Sequence, residues 1–260
     1  MTPKKSSKKP QPKADIKAVD GKQLENQNEL FPVVGIGASA GGLEAFMQLL
    51  SHLPIDTGMA FVIIQHMLPA QESLLGVILS RSTQMQVHEV TDGMAIAPNQ
   101  IYVIPPNVSM TIDRGMLNLK PRGTGRGVFM SVDTFLLSLA EERGNKAIGV
   151  ILSGGDGDGA QGLKAIKAAG GITFAQSQGS AQVSSMPNTA VATGQVDFIL
   201  TPEKIAQKIA EIALHPYIAD RHSTKSADSE DAIESKDAIA RIYSLVRTAT
   251  GARLKCQIVC

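Results

Sequence analysis

The sequence predicts an α/β fold: a doubly wound, mostly parallel sheet with helices on both faces and a small antiparallel edge. Three observations carry that expectation. Short aliphatic runs of strand length alternate with segments whose apolar residues recur at helical spacing. Two glycine clusters, at 35–42 and 154–162, each come at or just after such a run. Hydrophobic residues make up 43%, with no Trp and only 4% aromatics, so the core is built from Val, Ile, Leu, Ala and Met. Strands that alternate with helical patterns give βαβ units and a parallel sheet.

The elements follow in order. Val33-Val34-Gly35-Ile36 reads as a buried strand, and residues 37–41 as a tight turn. Leu43, Phe46, Met47 and Leu50 stand at i, i+3, i+4 and i+7, which predicts a helix that Pro54 closes. Phe61–Gln65 is the next buried strand, and Leu74, Leu75, Ile78 and Leu79 mark a second helix. Val87–Val90, Ile101–Ile104, Ser109–Ile112 and Met116–Leu119 are short strands, the last two joined by a hairpin turn at Asp113-Arg114-Gly115. These supply the antiparallel edge. Val132, Phe135, Leu136 and Leu139 predict a third helix, and Ile148–Leu152 a strongly apolar strand. After a glycine-rich loop, a helix through Leu163 and Ile166 stops at Gly170-Gly171. Ile172–Ala175 and Phe198–Leu200 are further strands, and Pro202 opens a last core helix with Ile205, Ile209 and Ile212.

Composition divides the chain into four parts. Residues 1–29 are lysine-rich, polar and free of large apolar runs, and are expected to be a disordered basic tail. Residues 30–217 form one folded domain. Residues 218–236 are a polar linker. Residues 237–260 begin with a helical pattern, with Ile239, Ile242, Leu245 and Val246 on one face, and end in a tail with no evident place.

The formal net charge is +1, from 25 basic and 24 acidic residues, and the basic excess is confined to the first residues. A nucleic-acid protein would carry a basic face or domain, so that class is set aside. The two cysteines, Cys256 and Cys260, give neither a disulfide framework nor a zinc site. No apolar run has the length of a membrane span, and the charged start has no apolar segment behind it. The expectation is a soluble, cytoplasmic protein without membrane insertion.

Gly37-Ala38-Ser39-Ala40-Gly41 matches the strand-to-helix turn that displays a serine nucleophile. Small neighbours leave room for a sharp bend, and the hydroxyl then stands clear at the carboxyl edge of the sheet. The Ala40 amide, at the start of a helix, is placed to donate to a developing oxyanion. The same residues fit a loose dinucleotide fingerprint, but that motif wants an acid at the end of the second strand. Here that strand ends in Gln65-His66. A serine hydroxyl needs a base near neutral pKa, and His66, just past a strand in a sheet whose strand ends bind ligands, supplies one. His52, His88, His215 and His222 sit at helix ends, within a strand or beyond the core.

The imidazole needs a carboxylate to fix its tautomer. Ser153-Gly154-Gly155-Asp156-Gly157-Asp158-Gly159 follows a third apolar strand and offers two, Asp156 and Asp158. Turn and capping chemistry is the ordinary role of such aspartates. A calcium loop would need more oxygen ligands and a late Glu, and Gln161-Gly162-Leu163 offers none, so no metal is expected. Serine, histidine and the aspartate loop each follow a strand, and so share one sheet edge.

Together, Gly37-Ala38-Ser39-Ala40-Gly41-Gly42, Gln65-His66-Met67 and Gly157-Asp158-Gly159-Ala160 resemble the chemotaxis protein-glutamate methylesterase family. Asp92-Gly93-Met94, Ile101-Tyr102-Val103-Ile104-Pro105-Pro106, Met186-Pro187 and Val196-Asp197 extend the resemblance over about residues 31–215. It implies a cofactor-free esterase that hydrolyses glutamate methyl esters on the cytoplasmic helices of chemoreceptors, releasing methanol, and that also deamidates receptor glutamines. It implies Ser39 as nucleophile, His66 as base and Asp158, rather than Asp156, as the triad carboxylate. The amides of Ala40, Gly154 and Gly155 would hold the oxyanion. Asp156 stands where the family usually has a small residue. The family often carries a receiver domain ahead of the esterase; residues 1–30 are too short for one, so phosphorylation control would come from another chain. Ile239–Gly251 looks similar to the first helix of a partner methyltransferase domain, as in methylesterase–methyltransferase fusions. The match ends after Gly251, the expectation being a truncated or frameshifted reading frame with a separate methyltransferase, and the alternative an ordinary tail helix. The alternative is an idle scaffold module of a chemosensory system, against which the complete Ser39, His66 and Asp158 set argues.

Overall fold

Val33–Ala38, buried at every position, forms the central strand β1 of the computed structural model. The structure describes residues 30–65, 74–121 and 130–214. The expected basic tail at 1–29, the linker at 218–236, the helix begun at Asp237, both cysteines, His66, His215 and His222 lie outside the described residues. The chain divides after Ile218 into two units, and all described residues belong to the first.

From β1 the chain enters α1 (Gly42–Ser51), then β2 (Ala60–Gln65) and the short α2 (Leu75–Leu79). β3 (Gln86–Glu89), β4 (Met94–Ala95), β5 (Gln100–Val103), β6 (Val108–Asp113) and β7 (Met116–Pro121) follow. The alternation resumes with α3 (Ser131–Arg143), β8 (Ala147–Ile151), α4 (Ala160–Ala168) and β9 (Ile172–Gln176). α5 (Ser185–Ala192), β10 (Phe198–Leu200) and α6 (Pro202–Ala213) complete it.

Seven strands make one sheet in the order β10-β9-β8-β1-β2-β5-β3, and every pairing in it is parallel. The chain moves from β1 to β2 on one side and later returns to β8 on the other. β1 and β8 therefore border the point where the winding reverses, and ligands of doubly wound sheets bind outside the strand ends there. α1, α2 and α6 cover one face, with Phe46, Leu49, Phe61, Ile63 and Ile205 in its core. α3, α4 and α5 cover the other, with Val62, Ile64, Phe135, Leu136 and Leu163.

Two of the four short strands expected in an antiparallel edge, β3 and β5, instead extend the large sheet in parallel. The antiparallel part is a separate three-stranded sheet, β4-β7-β6. It is fastened to α3 rather than to a sheet edge: Ile112 N–H donates to Ser138 Oγ at 3.0 Å, and Gly115 N–H to Glu142 Oε1 at 2.9 Å. Met110, Ile112 and Leu117 bury their side chains in the α3 side of the core. The expected stripe of α1 is also rotated. Ala45, Phe46, Leu49 and Leu50 are buried, while Met47 is 38% exposed. Its first residue, Gly42, lies so close to β1 that a Cβ there would lie 2.5 Å from Ala38 Cβ, which fixes the inward face. The α3 stripe stands as expected, with Val132, Phe135, Leu136 and Leu139 fully buried.

Candidate active site

Ser39 is the first residue past β1. Its N–H donates to Ser153 O at 2.9 Å, so the β1–β8 pairing continues beyond both strands into their loops. Gly42 N–H donates back to Ser39 O at 3.0 Å and closes the turn. The bend needs Gly41, whose φ is 72°. A side chain there would be strained in the left-handed region and would meet Gln182 Cβ at 2.7 Å and Ser153 Oγ at 2.8 Å. Ser39 itself is half-buried, with no hydrogen-bond partner for its hydroxyl among the described residues.

Ser153, fully buried at the end of β8, bolts this turn in place. Its hydroxyl donates to Ala40 O at 2.8 Å and accepts from Val183 N–H at 3.0 Å. Its own N–H donates to Oε1 of the buried Gln176 at 2.8 Å. Gly154 N–H donates to Val183 O at 2.9 Å. That amide, expected as an oxyanion donor, is here engaged in closing the loop. The amides of Ala40 and Gly155, both on exposed residues, meet no acceptor among the described residues.

The two loop aspartates have different surroundings. Asp156 is half-buried and its Oδ1 accepts from Asp158 N–H at 3.1 Å, which shapes the loop. Asp158 is 1% exposed. Its Oδ2 accepts from Val132 N–H and its Oδ1 from Asp133 N–H, each at 2.9 Å. Those are first-turn amides of α3, whose own N-cap, Met130, supplies no side-chain bond. An oxygen acceptor at a helix N-terminus satisfies orphan donors and meets the positive end of the dipole. The fit depends on Val132, which packs against the turn on one side and the loop on the other: a Cβ at Gly37 or at Gly159 would collide with it.

Asp133 was not singled out by the sequence. It is 6% exposed, and its Oδ1 accepts from Gly162 N–H of α4 at 2.7 Å. The signal was present as an acid at the third position of a helix that is otherwise apolar on that side. Ser153 and Gln176 left no comparable trace.

Burial pushes the Asp158 carboxyl above its ordinary range, against the pull of the Asp133 and Val132 amides; the charges of Asp133 and Asp156 push the same way as burial. Burial likewise raises Asp133, against the amides of Gly162, Gly159 and Gln161, and the Asp156 charge adds to the rise. His66 follows Gln65, which lies opposite Ala38 in the β1–β2 register, and is itself outside the described residues. Of the other histidines, His52 is exposed with Nδ1 2.8 Å from Gln48 O, and His88 on β3 stacks on Tyr102 at 5.6 Å. Among the described residues no group of three or more His, Cys, Asp or Glu is placed to hold a metal, and no helix is long and apolar enough to cross a membrane.

Residues 34–209 match the family model described as CheB methylesterase. A protein-glutamate methylesterase/protein-glutamine glutaminase of Geobacter sulfurreducens is 34% identical over 69% of this chain and 49% of its own length. One from Carboxydothermus hydrogenoformans is 36% identical over 76% of this chain and 58% of its own. The chain thus spans about half the length of these curated relatives. The crystal structure of the Thermotoga maritima CheB methylesterase catalytic domain superposes with a TM-score of 0.65 at 28% identity, over 71% of this chain and all of that one.

Proposed function

The chain belongs to the CheB methylesterase family, and from that premise we propose that it is a protein-glutamate methylesterase using Ser39. Its substrates would be glutamate methyl esters on the cytoplasmic helices of chemoreceptors, and its setting the cytoplasm. Receptor glutamines would be deamidated at the same site. The observation that carries the reading is the mounting of Ser39. Its turn is bonded to the β8 loop at the winding reversal, and Val132 links it to the buried carboxylate of Asp158.

The steps balance without a cofactor. Ser39 Oγ attacks the ester carbonyl carbon while His66 takes its proton. The amides of Ala40 and Gly155 donate to the oxyanion, a contribution of about 10²–10³-fold per donor in related chemistry. The C–O bond to the methoxy group breaks, His66 returns the proton, and methanol leaves. Water, deprotonated by His66, attacks the acyl-enzyme, and glutamate and Ser39 are restored. Asp158 holds the imidazole tautomer and stabilises the imidazolium. For a glutamine the leaving group is ammonia, and the remaining steps are unchanged.

The test is methanol release from a methylated chemoreceptor cytoplasmic fragment. Release by the wild-type chain and none by a folded Ser39→Ala variant is expected. Equal release by both would remove Ser39 from the reaction. No release from a fragment that a known methylesterase demethylates would leave the substrate assignment wrong.

A further inference from the structure

Asp133 and Asp158 exchange caps. Asp158, at the end of the β8–α4 loop, accepts the amides of Val132 and Asp133 at the start of α3. Asp133, in that same first turn, accepts the Gly162 amide at the start of α4, the helix that Asp158 precedes. Neither helix has a side-chain cap of its own. Each carboxylate therefore locates the helix on which the other depends. α3 and α4 pack side by side, with Leu136 against the bare backbone of Gly162, so the two N-termini stay together.

We infer that Asp133 is a positioning residue for the hydrolytic site: it sets where the Asp158 carboxylate lies and stands beside it as a second carboxylate. The inference rests on the reading of Asp158 as the carboxylate partner of His66. Its geometric half does not depend on that reading. Removing Asp133's acceptor frees the α4 N-terminus, and with it the loop from which Asp158 projects. Removing only its charge leaves the acceptor and relieves Asp158 of a like neighbour. The charged side chains acting on Asp158 among the described residues are Asp133 from α3 and Asp156 from its own loop. α3 contributes the Val132 and Asp133 amides, and β1 contributes Gly37 without a side chain.

Asp133→Asn and Asp133→Ala separate the two roles. In the asparagine variant Oδ1 still accepts from Gly162, so the geometry survives without the charge. Two readouts on the intact chain are taken for wild type and both variants: the Asp158 carboxyl ¹³C titration by NMR, and the pH dependence of fluorophosphonate labelling at Ser39. In Asp133→Asn the Asp158 titration and the acid limb of labelling both move to lower pH, by roughly half a unit to one unit for a screened like charge. The plateau rate stays within a few-fold of wild type. In Asp133→Ala the plateau falls by about tenfold or more, as a misplaced group costs elsewhere. A titration that is unmoved in Asp133→Asn overturns the inference, as does a wild-type labelling rate in Asp133→Ala. If the alanine variant does not fold, the asparagine variant decides alone. If wild type shows no Ser39-dependent labelling, the functional reading fails, and the Asp158 titration still decides whether the two aspartates are coupled.

Discussion

Asp133 Oδ1 accepts from the Gly162 amide at 2.7 Å while the Asp133 amide donates to Asp158 Oδ1 at 2.9 Å, so one residue is both capping group and capped helix start. The pair has a consequence for stability against pH. Both carboxyls titrate above their unfolded values. The folded state therefore holds protons that the unfolded state has lost. A raised carboxyl stabilises the fold fully only below the unfolded pKa, and that contribution is lost as pH rises through the folded pKa. Urea titrations from the unfolded carboxyl pKa of about 3.9 upward should show this loss in wild type and a smaller one in Asp133→Asn. Parallel profiles would show that the pair does not titrate as described.

Asp158 holds the start of α3 as well as its proposed place beside His66, so its replacement is not a clean test of mechanism. Asp158→Ala removes two charge-assisted bonds to buried amides. A loss of about 2–4 kcal/mol is expected by chemical denaturation, from the cap and the donors left unmet. A loss below about 0.5 kcal/mol, the scale of an ordinary surface change, would mean that water replaces the carboxylate at no cost.

Gly37→Ala tests the close approach of α3 to β1. Its Cβ would occupy the place of the Val132 side chain. Overpacking of this kind costs about 1–3 kcal/mol. Because Val132 also bears on the Asp158 loop, activity should fall more than stability does, and a compensating Val132→Ala should restore part of both.

Ser153→Ala removes the hydroxyl that joins Ala40 O to Val183 N–H. About 0.5–1.5 kcal/mol of stability should be lost, the net worth of a hydrogen bond whose partners, on the exposed Ala40 and the half-buried Val183, water can reach. The looser Ser39 turn should show as a lower kcat with little change in KM. The reverse pattern would place the loop in substrate binding.

Asp197 is held below its ordinary range by Lys167 and by the amide and hydroxyl of Thr173, which outweigh its burial. Its contribution is present above the unfolded carboxylate pKa and is lost as pH falls through the lowered folded value. Asp197→Asn should therefore cost stability at neutral pH, about 1 kcal/mol for a partly exposed pair, and cost less as pH falls below about 4.

Periodicity made α3, β8 and the last core helix legible, because apolar residues repeat there without interruption. The rotation of α1 was not legible. Met47 is as apolar as Leu49, and the approach of Gly42 to Ala38 turns Ala45 and Leu49 inward and Met47 outward. β3 and β5 are four residues each, too short for pattern to reveal direction, and their parallel pairing follows from the tertiary path. α5 was missed because Pro187 reads as a breaker, although the first turn of a helix tolerates proline. The glycine turn at Ser39 announced itself by residue size. Asp158 could not be told from Asp156 by spacing, since the difference lies in which one reaches α3. Asp133 and Ser153 act through contacts distant in the chain, which no local motif records.

Ser39 is proposed as an activated nucleophile. The measurement that tests it most directly is labelling of the intact chain with a fluorophosphonate serine-hydrolase probe, beside Ser39→Ala and His66→Ala variants shown to be folded. Wild type should be labelled at Ser39, and neither variant should take the label. A well-folded wild type that takes no label, or a Ser39→Ala variant labelled as well as wild type, would contradict it.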